Sequence, residues 1–465
     1  MSARSSGYGV GKSGTPAFDV RGIVEGFYGP PWSHAERLDM IDFIADRGMN
    51  TFVYSPKDDP LMRWEWRAPY QGDELARLAE LVDACARRGV EFVFCLSPGL
   101  SIQYASEQDV ATLIAKYAAV AELGVGWFGL LLDDIPASLQ HTSDRAVWPD
   151  LVSAHVDLVG RVHAALAAVG HRLVVCPTQY FGRGTEDYIT RLGQGVPAEV
   201  DLFWTGRLIC SPFIDLEDAE RFAQATGRPP LFWDNYPVND VAMTHELHIG
   251  PYRGRDVRLA EASRGVIANG MEYAESSKIA FATIADYLWS PHDYDPEESW
   301  NTALADLIPD AADLADYRLF AENSLGSCLN LDDAPELVGV LERYTFLVET
   351  GDAQGAAAIV SEYAQRAAAA SDRLLTTPQT NAALVDEARE WITVFGLGAA
   401  ALADLARLTA EGTLDRDGAA VLADHRARIR SRGRRVFGDA LDMTLTDVIG
   451  HSTTTEGPTH KEAAP

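Results

Sequence analysis

Several polar groups interrupt apolar stretches of this 465-residue chain at positions where they could do chemistry. Asp133-Asp134 follow the apolar run Trp127-Phe128-Gly129-Leu130-Leu131-Leu132. Neighbouring carboxylates repel, so one of the two is expected to hold its proton more tightly, as a general acid near neutral pH must. The pair alone weighs evenly with a plainer reading, a helix cap after a buried strand. Pro56-Lys57-Asp58-Asp59 follows another apolar run, and Lys57 there has an obvious competing use as an ion-pair partner of Asp58 or Asp59. Asp234-Asn235-Tyr236-Pro237-Val238-Asn239-Asp240 follows a third, and Asn269 a fourth. Carboxylates and amides suit paired hydrogen bonds to sugar hydroxyls, aromatic faces such as Trp233 suit pyranose C–H groups, and two carboxyls are the minimum for acid/base glycoside hydrolysis.

These groups need elements to bring them together. Short apolar strands are predicted at 21–24, 50–54, 90–95, 127–132, 172–176, 200–204, 230–233 and 265–268. Amphipathic helices are predicted at about 34–47, 74–88, 107–123, 149–168 and 276–288, using one face such as Leu38, Ile41, Ile44 and Ala45. Near-continuous apolar strands alternating with helices signal a parallel sheet covered by helices. About eight such units fit a closed (β/α)8 TIM barrel, in which chemistry gathers at the C-terminal strand ends. An open nucleotide-binding sheet would want a Gly-rich first turn, and Glu25-Gly26-Phe27-Tyr28-Gly29-Pro30-Pro31-Trp32 is too bulky. The carboxylates, amides, lysine and aromatics then converge on one rim, which lowers the helix-cap reading of Asp133-Asp134. Tyr54 reads as barrel core and Trp233 as rim. After Trp300 the composition turns Ala- and Leu-rich, with Leu384, Ala388, Trp391, Phe395 and Leu402 at helical spacing, so an all-α helical bundle follows the barrel. The expected organisation is a disordered N-terminus 1–16, a barrel 17–300, a bundle 301–450 and a disordered tail 451–465.

Composition excludes several classes. Asp+Glu 68 against Lys+Arg 39 gives a net charge of −29, unsuited to a phosphate backbone or an anionic membrane surface. No apolar run is read as a membrane span, and the N-terminus lacks the apolar core of a secretory signal. Five cysteines without paired-ligand spacing point to a reducing cytoplasm. Gly11-Lys12-Ser13 resembles a phosphate-loop ending but has Ser6 where the motif needs Gly. His245-Glu246-Leu247-His248 is one residue short of a zinc-protease helix and reads as surface loop. No histidine directly follows a strand, so neither a metal nor another cofactor is expected.

The blocks in order resemble glycoside hydrolase family eighty-four, the O-GlcNAcases and bacterial β-N-acetylglucosaminidases. The resemblance rests on Gly22-Ile23-Val24-Glu25-Gly26-Phe27-Tyr28-Gly29-Pro30-Pro31-Trp32-Ser33, Tyr54-Ser55-Pro56-Lys57-Asp58-Asp59-Pro60 with Arg63-Trp64-Glu65-Trp66-Arg67, Leu132-Asp133-Asp134-Ile135, Cys176-Pro177-Thr178-Gln179-Tyr180, Phe203-Trp204-Thr205-Gly206, Trp233 to Asp240, Gly250-Pro251-Tyr252-Arg253-Gly254-Arg255 and Asn269-Gly270-Met271-Glu272. Gly270 departs from the expected Pro, a change expected to alter the loop little. The resemblance implies a retaining exo-β-N-acetylglucosaminidase in which the substrate's own 2-acetamido oxygen is the nucleophile and an oxazoline forms. It implies that Asp133 orients the acetamido N–H and that Asp134 is the general acid, then base. Cys176, Tyr180 and Trp233 would line the acetamido pocket, with Asn235 at its polar edge. Asp240 would bind O4 and O6, and Gly26 (by its backbone), Lys57 and Asn269 the region of O3. The implied partner is a GlcNAc-terminated glycoside or glycoprotein. Two alternatives remain, a non-catalytic GlcNAc-binding barrel and an endo-acting hyaluronan or chitin hydrolase. A homodimer through the helical region is left open.

Overall fold

The computed structural model describes residues 14–454. Eight parallel strands close into one barrel in chain order: β1 (Val20–Glu25), β2 (Thr51–Tyr54), β3 (Glu91–Leu96), β4 (Trp127–Leu131), β5 (Arg172–Cys176), β6 (Asp201–Trp204), β7 (Leu231–Asp234) and β8 (Gly265–Asn269). The helices between them are α1 (His34–Asp46), α2 (Gly72–Arg88), α3 (Glu107–Ala121), α4 (Thr142–Val147), α5 (Leu151–Ala167), α6 (Asp187–Gly195) and α7 (Leu216–Thr226), and α8 (Ala274–Trp289) follows β8. Every strand matches its sequence expectation to within one or two residues. The periodicity missed α4, α6 and α7, of six, nine and eleven residues, which are too short to show more than a few turns of repeat.

Helix starts follow local chemistry. Ser33 and Glu36 form a reciprocal capping box on α1, and Asp150 accepts from Ser153 N at the head of α5. α2 ends on Gly89 at φ 67°, which spares a side chain the left-handed conformation.

Inside the barrel, Val24, Val53, Val93, Leu131, Val174 and Ile267 pack as one layered core. Trp233 belongs to this cluster too and is 5% exposed. That corrects the rim assignment: a strand-end aromatic can plug the barrel and still offer an edge upward. Register sets the rim. Val24 pairs with Asn269, Glu25 with Tyr54 and Leu131 with Cys176, so residues just past these positions come level with one another.

The chain divides into two compact units, 14–241 with 251–303, and 242–250 with the residues from 304 onward. The second unit is helical: α10 (Ala311–Glu322), α11 (Pro335–Glu349), α12 (Ala353–Thr376), α13 (Ala382–Glu411), α14 (Arg416–Ser431) and α15 (Ala440–Thr454), with α9 (Pro296–Leu307) spanning the division. Helix α15 continues to Thr454, into the segment expected as tail, and is anchored at its other end by the buried Leu441 and Leu445. Gly11-Lys12-Ser13 and residues 455–465 lie outside the described residues. Helix α13 is long and apolar enough to cross a membrane by length and composition, contrary to the sequence reading; 61% of its apolar window is buried within the protein. Residues 245–248 do form a loop, with His245 exposed, but its far end turns inward. His248 and Leu247 are buried, and Glu246 accepts from His248 at 2.9 Å and Arg435 at 2.7 Å, so the polar motif is absorbed into an ion-pair network.

Candidate active site

The rim brings the singled-out residues together. Leu132 N donates to Cys176 O at 2.8 Å, which holds the chain leaving β4 against β5. Asp133 comes next and is buried. Its Oδ2 accepts from Lys57 Nζ at 2.6 Å, while its Oδ1 is buried with no hydrogen-bond partner. Asp134 takes φ 53°, left-handed for a non-glycine. Its Oδ2 accepts from Tyr28 Oη at 2.6 Å and its Oδ1 from Tyr180 Oη at 3.1 Å. The next helix starts only at Thr142, so neither aspartate caps one.

Lys57 does not pair with Asp58 or Asp59. Asp59 instead accepts from Tyr54 Oη at 2.9 Å and Tyr70 Oη at 2.6 Å. Burial works against the charge on Lys57, but Asp133 and then Asp134, 4.0 Å away, more than offset it, and its pKa is pushed up to about 12. Lys57 Nζ also lies 5.5 Å from the Tyr28 ring centroid and 6.0 Å from that of Trp233. Burial pushes the Tyr28 and Tyr180 hydroxyls upward, and the hydrogen bonds to Asp134 act in the same sense, so both tyrosines stay protonated donors.

A second group lies across β7, β8 and β1. Trp233 Nε1 donates to Asn235 Oδ1 at 2.9 Å, Asn269 Nδ2 donates to the same oxygen at 3.0 Å, and Gly26 N donates to Asn269 Oδ1 at 3.1 Å. Asn235 Nδ2 is tied to Ile209 O at 2.9 Å. Gly26 must be glycine because a Cβ there would stand 2.4 Å from Trp233 Cζ2. Cys176 packs under the same wall, with Tyr180 against it; burial lifts its thiol well above the ordinary range, so it is an apolar lining group and no nucleophile. Asp240 joins the rim by accepting from Tyr28 N at 2.7 Å, and burial raises its pKa.

Supporting contacts lie beneath. Buried Asp234 is held by Arg255 in a two-pronged pair, at 2.6 and 2.9 Å, and by the Tyr252 hydroxyl. Glu25 is likewise gripped by Arg37 at 2.7 and 2.8 Å, which fixes the turn leading to Gly26. Gly270 N donates to Val24 O at 3.2 Å, and a Cβ at 270 would come 2.7 Å from Trp32 Cζ2. Proline there would lose that bond and press on Trp32, so the departure is not silent. Among the described residues, no group of three or more His, Cys, Asp or Glu side chains could hold a metal ion.

Sequence reasoning gave no role to Tyr28 or Arg63, although both lay in quoted blocks. The structure links Arg63 Nη1 to Tyr28 Oη at 3.0 Å, and Tyr28 to both Asp134 and Asp240. Its partners lie 106 and 212 residues away along the chain, so no spacing rule could have found them.

The family profile described as beta-N-acetylglucosaminidase matches residues 21–322. The rat protein O-GlcNAcase is 30% identical over 285 residues, which are 60% of this chain and 31% of that protein. The mouse protein O-GlcNAcase is 31% identical over 284 residues, with the same shares. The chain thus spans about a third of the length of these curated relatives. Among solved structures, a variant O-GlcNAc hydrolase of Thermobaculum terrenum superposes with a TM-score of 0.88 at 32% identity, over 94% of this chain and 96% of that one. A protein named CpGH84B superposes at 0.83 and 26% identity, over 93% and 77%.

Proposed function

This chain belongs to the β-N-acetylglucosaminidase family, glycoside hydrolase family eighty-four, and from that premise we propose that it is a retaining, exo-acting β-N-acetylglucosaminidase of the O-GlcNAcase kind. The observation that carries the reading is the unequal state of two adjacent carboxylates. Asp133 is buried, fixed through one oxygen by Lys57, and presents its other oxygen without a donor. A buried acceptor of this kind is costly unless a ligand supplies the hydrogen. The acetamido N–H of GlcNAc is such a donor. Accepting it would orient the acetamido oxygen toward the anomeric carbon and stabilise the positive charge that grows there as the oxazoline forms. Asp134, more open and held by two tyrosine hydroxyls, protonates the leaving oxygen and then takes a proton from the incoming water. No enzyme nucleophile is required, an exception to the usual two-carboxylate scheme.

The remaining roles follow the rim. Trp233, Cys176 and Tyr180 line the acetamido pocket, with Asn235 at its polar edge. Gly26, Lys57 and Asn269 bind about O3, and Asp240 binds O4 and O6. A carboxylate capping O4 disfavours chain extension and therefore endo action. The barrel, 17–300, is the catalytic portion, and the helical portion, 301–450, is where we place any homodimer contact. Similarity to rat, mouse and Thermobaculum proteins named for O-GlcNAc supports GlcNAc linked to protein as the substrate. The acidic balance supports the absence of a nucleic-acid or membrane partner. Buried thiols at Cys85, Cys95 and Cys176 support a cytoplasmic setting.

The test is hydrolysis of aryl β-N-acetylglucosaminides by wild type, Asp133→Asn and Asp134→Asn. Both variants should be severely impaired, and a reactive leaving group should restore Asp134→Asn more than Asp133→Asn. Tight GlcNAc binding without turnover by wild type would favour a lectin. Equal rates on an N-trifluoroacetyl substrate would exclude the acetamido nucleophile.

A further inference from the structure

We propose, resting on the reading of Asp134 as the acid/base, that Arg63 is a positioning residue for the reaction and acts on Asp134 through the Tyr28 hydroxyl. Arg63 Nη1 donates to Tyr28 Oη at 3.0 Å, and the same hydroxyl donates its proton to Asp134 Oδ2 at 2.6 Å. A hydroxyl that accepts from a cation becomes a stronger donor, so the positive charge is relayed to the carboxylate. The guanidinium carbon also lies 5.4 Å from the Tyr28 ring centroid, which keeps ring and cation together.

The surroundings of Arg63 argue against a merely structural task. It is 5% exposed. Two other buried arginines of the barrel each make several hydrogen bonds to backbone carbonyls or a carboxylate, although the Nε of Arg228 also lacks an acceptor. Arg228 reaches the carbonyls of Gly193, Pro197 and Val200, and Arg255 clasps Asp234. Among the described residues, the Arg63 side chain has one hydrogen bond, to Tyr28, and its Nε is buried without an acceptor. Apart from the Trp64 ring, 5.3 Å from the guanidinium carbon, nothing else among the described residues compensates the cation, and its charge remains available to Tyr28, its hydrogen-bond partner. Its backbone is pinned. Arg63 N donates to Asp59 O and Pro60 O at 3.3 Å, Ser97 N donates to Met62 O at 2.9 Å, and Lys116 Nζ donates to Leu61 O at 2.6 Å. The relay is therefore preorganised.

Its consequence follows the proton. When Asp134 gives its proton to the leaving oxygen, a carboxylate forms at the end of the Tyr28 bond, and the relay stabilises it as it forms. Without Arg63, Asp134 is a weaker acid. Poor leaving groups, which need the proton, should suffer most, and the pH at which activity falls on the alkaline side should rise.

The experiment is kcat/KM against pH for wild type and Arg63→Met with phenyl and 3,4-dinitrophenyl β-N-acetylglucosaminides. We expect a loss approaching about tenfold on the phenyl substrate, the most that a one-unit weaker acid can cost, and less than about threefold on the dinitrophenyl one. The alkaline limb should move up by roughly one pH unit. Tyr28→Phe should give the same pattern, and the double variant should be no worse than Tyr28→Phe alone. Equal losses on both leaving groups with an unmoved limb would overturn the proposal. If Arg63→Met does not fold, Tyr28→Phe and Arg63→Lys decide it. The lysine should keep the limb within about half a unit of wild type, and an unmoved limb in Tyr28→Phe would overturn the relay. Wild type that hydrolyses no aryl β-N-acetylglucosaminide would instead remove the reading of Asp134, and the inference with it.

Discussion

Replacing Lys57 with Met should damage stability and chemistry together, by an amount the structure allows one to work out. Lys57 Nζ and Asp133 Oδ2 are 2.6 Å apart, and both side chains are buried. With an effective dielectric of about 20, the gross attraction is about 332/(20 × 2.6), or roughly 6 kcal/mol. Both ions were desolvated to form the pair, so the pair's net worth is smaller. Removing one partner strands the other, however, and that costs about 3–5 kcal/mol in comparable buried pairs. Methionine fills nearly the same volume, so little of the loss is cavity. The assay is urea unfolding followed by tryptophan fluorescence. Nine of the ten tryptophans precede residue 304, so this signal reports the barrel. Asp133→Asn in the same background should return much of the loss, because the stranded charge is gone, and the double-mutant cycle gives the coupling directly. A loss below about 1 kcal/mol for Lys57→Met, or no recovery in the double variant, would refute the claim that Lys57 is the buried partner that compensates Asp133.

Three further outcomes are expected. His155 is buried between Tyr104 Oη and Tyr188 Oη, each at 2.8 Å, and burial holds its pKa down to about 3. The unfolded chain therefore takes up a proton near pH 6.5 that the folded chain refuses, so this contribution is present above that pH and is lost as pH falls toward 3. Between pH 7 and pH 5 the stability gap between wild type and His155→Gln should narrow by about 2 kcal/mol, and parallel curves would contradict this. Gly26→Ala puts a Cβ 2.4 Å from Trp233 Cζ2 and should cost about 1–3 kcal/mol while raising KM, as thermal melts and steady-state kinetics would show. Asp240→Ala should weaken GlcNAc binding by about 1–3 kcal/mol and relax discrimination against the C4 epimer; unchanged selectivity between GlcNAc and GalNAc glycosides would remove Asp240 from O4.

Local sequence carried the strands, most helices and the rim membership of nearly every site residue. An eight-fold alternation of apolar runs with amphipathic segments has few packings, and a parallel barrel aligns its strand ends on one side. Asp133, Asp134, Asn235 and Asn269 could thus be placed on that side by where they fall after a strand. Periodicity did not distinguish exposure from burial in short polar segments. Residues 245–248 read as surface loop because the spacing of their histidines does not fit a zinc-binding helix, yet His248 is buried on Glu246. Trp233 read as rim, yet it also fills the barrel.

The partners were beyond the sequence. Lys57 reaches Asp133 across 76 residues, Tyr28 reaches Asp134 across 106, and Gly26 reaches Asn269 across 243. Nothing within a local window distinguishes Lys57 bound to Asp133 from Lys57 bound to Asp59, two positions away. Closure of the barrel decides it, because the register of β1 on β8 and of β4 on β5 fixes which strand ends stand level. The order of residue types along the chain determined the fold and which groups crowd the rim. The tertiary structure decided which of two adjacent carboxylates is buried against a lysine and which is held by tyrosines, since burial and charge neighbours are properties of a three-dimensional site.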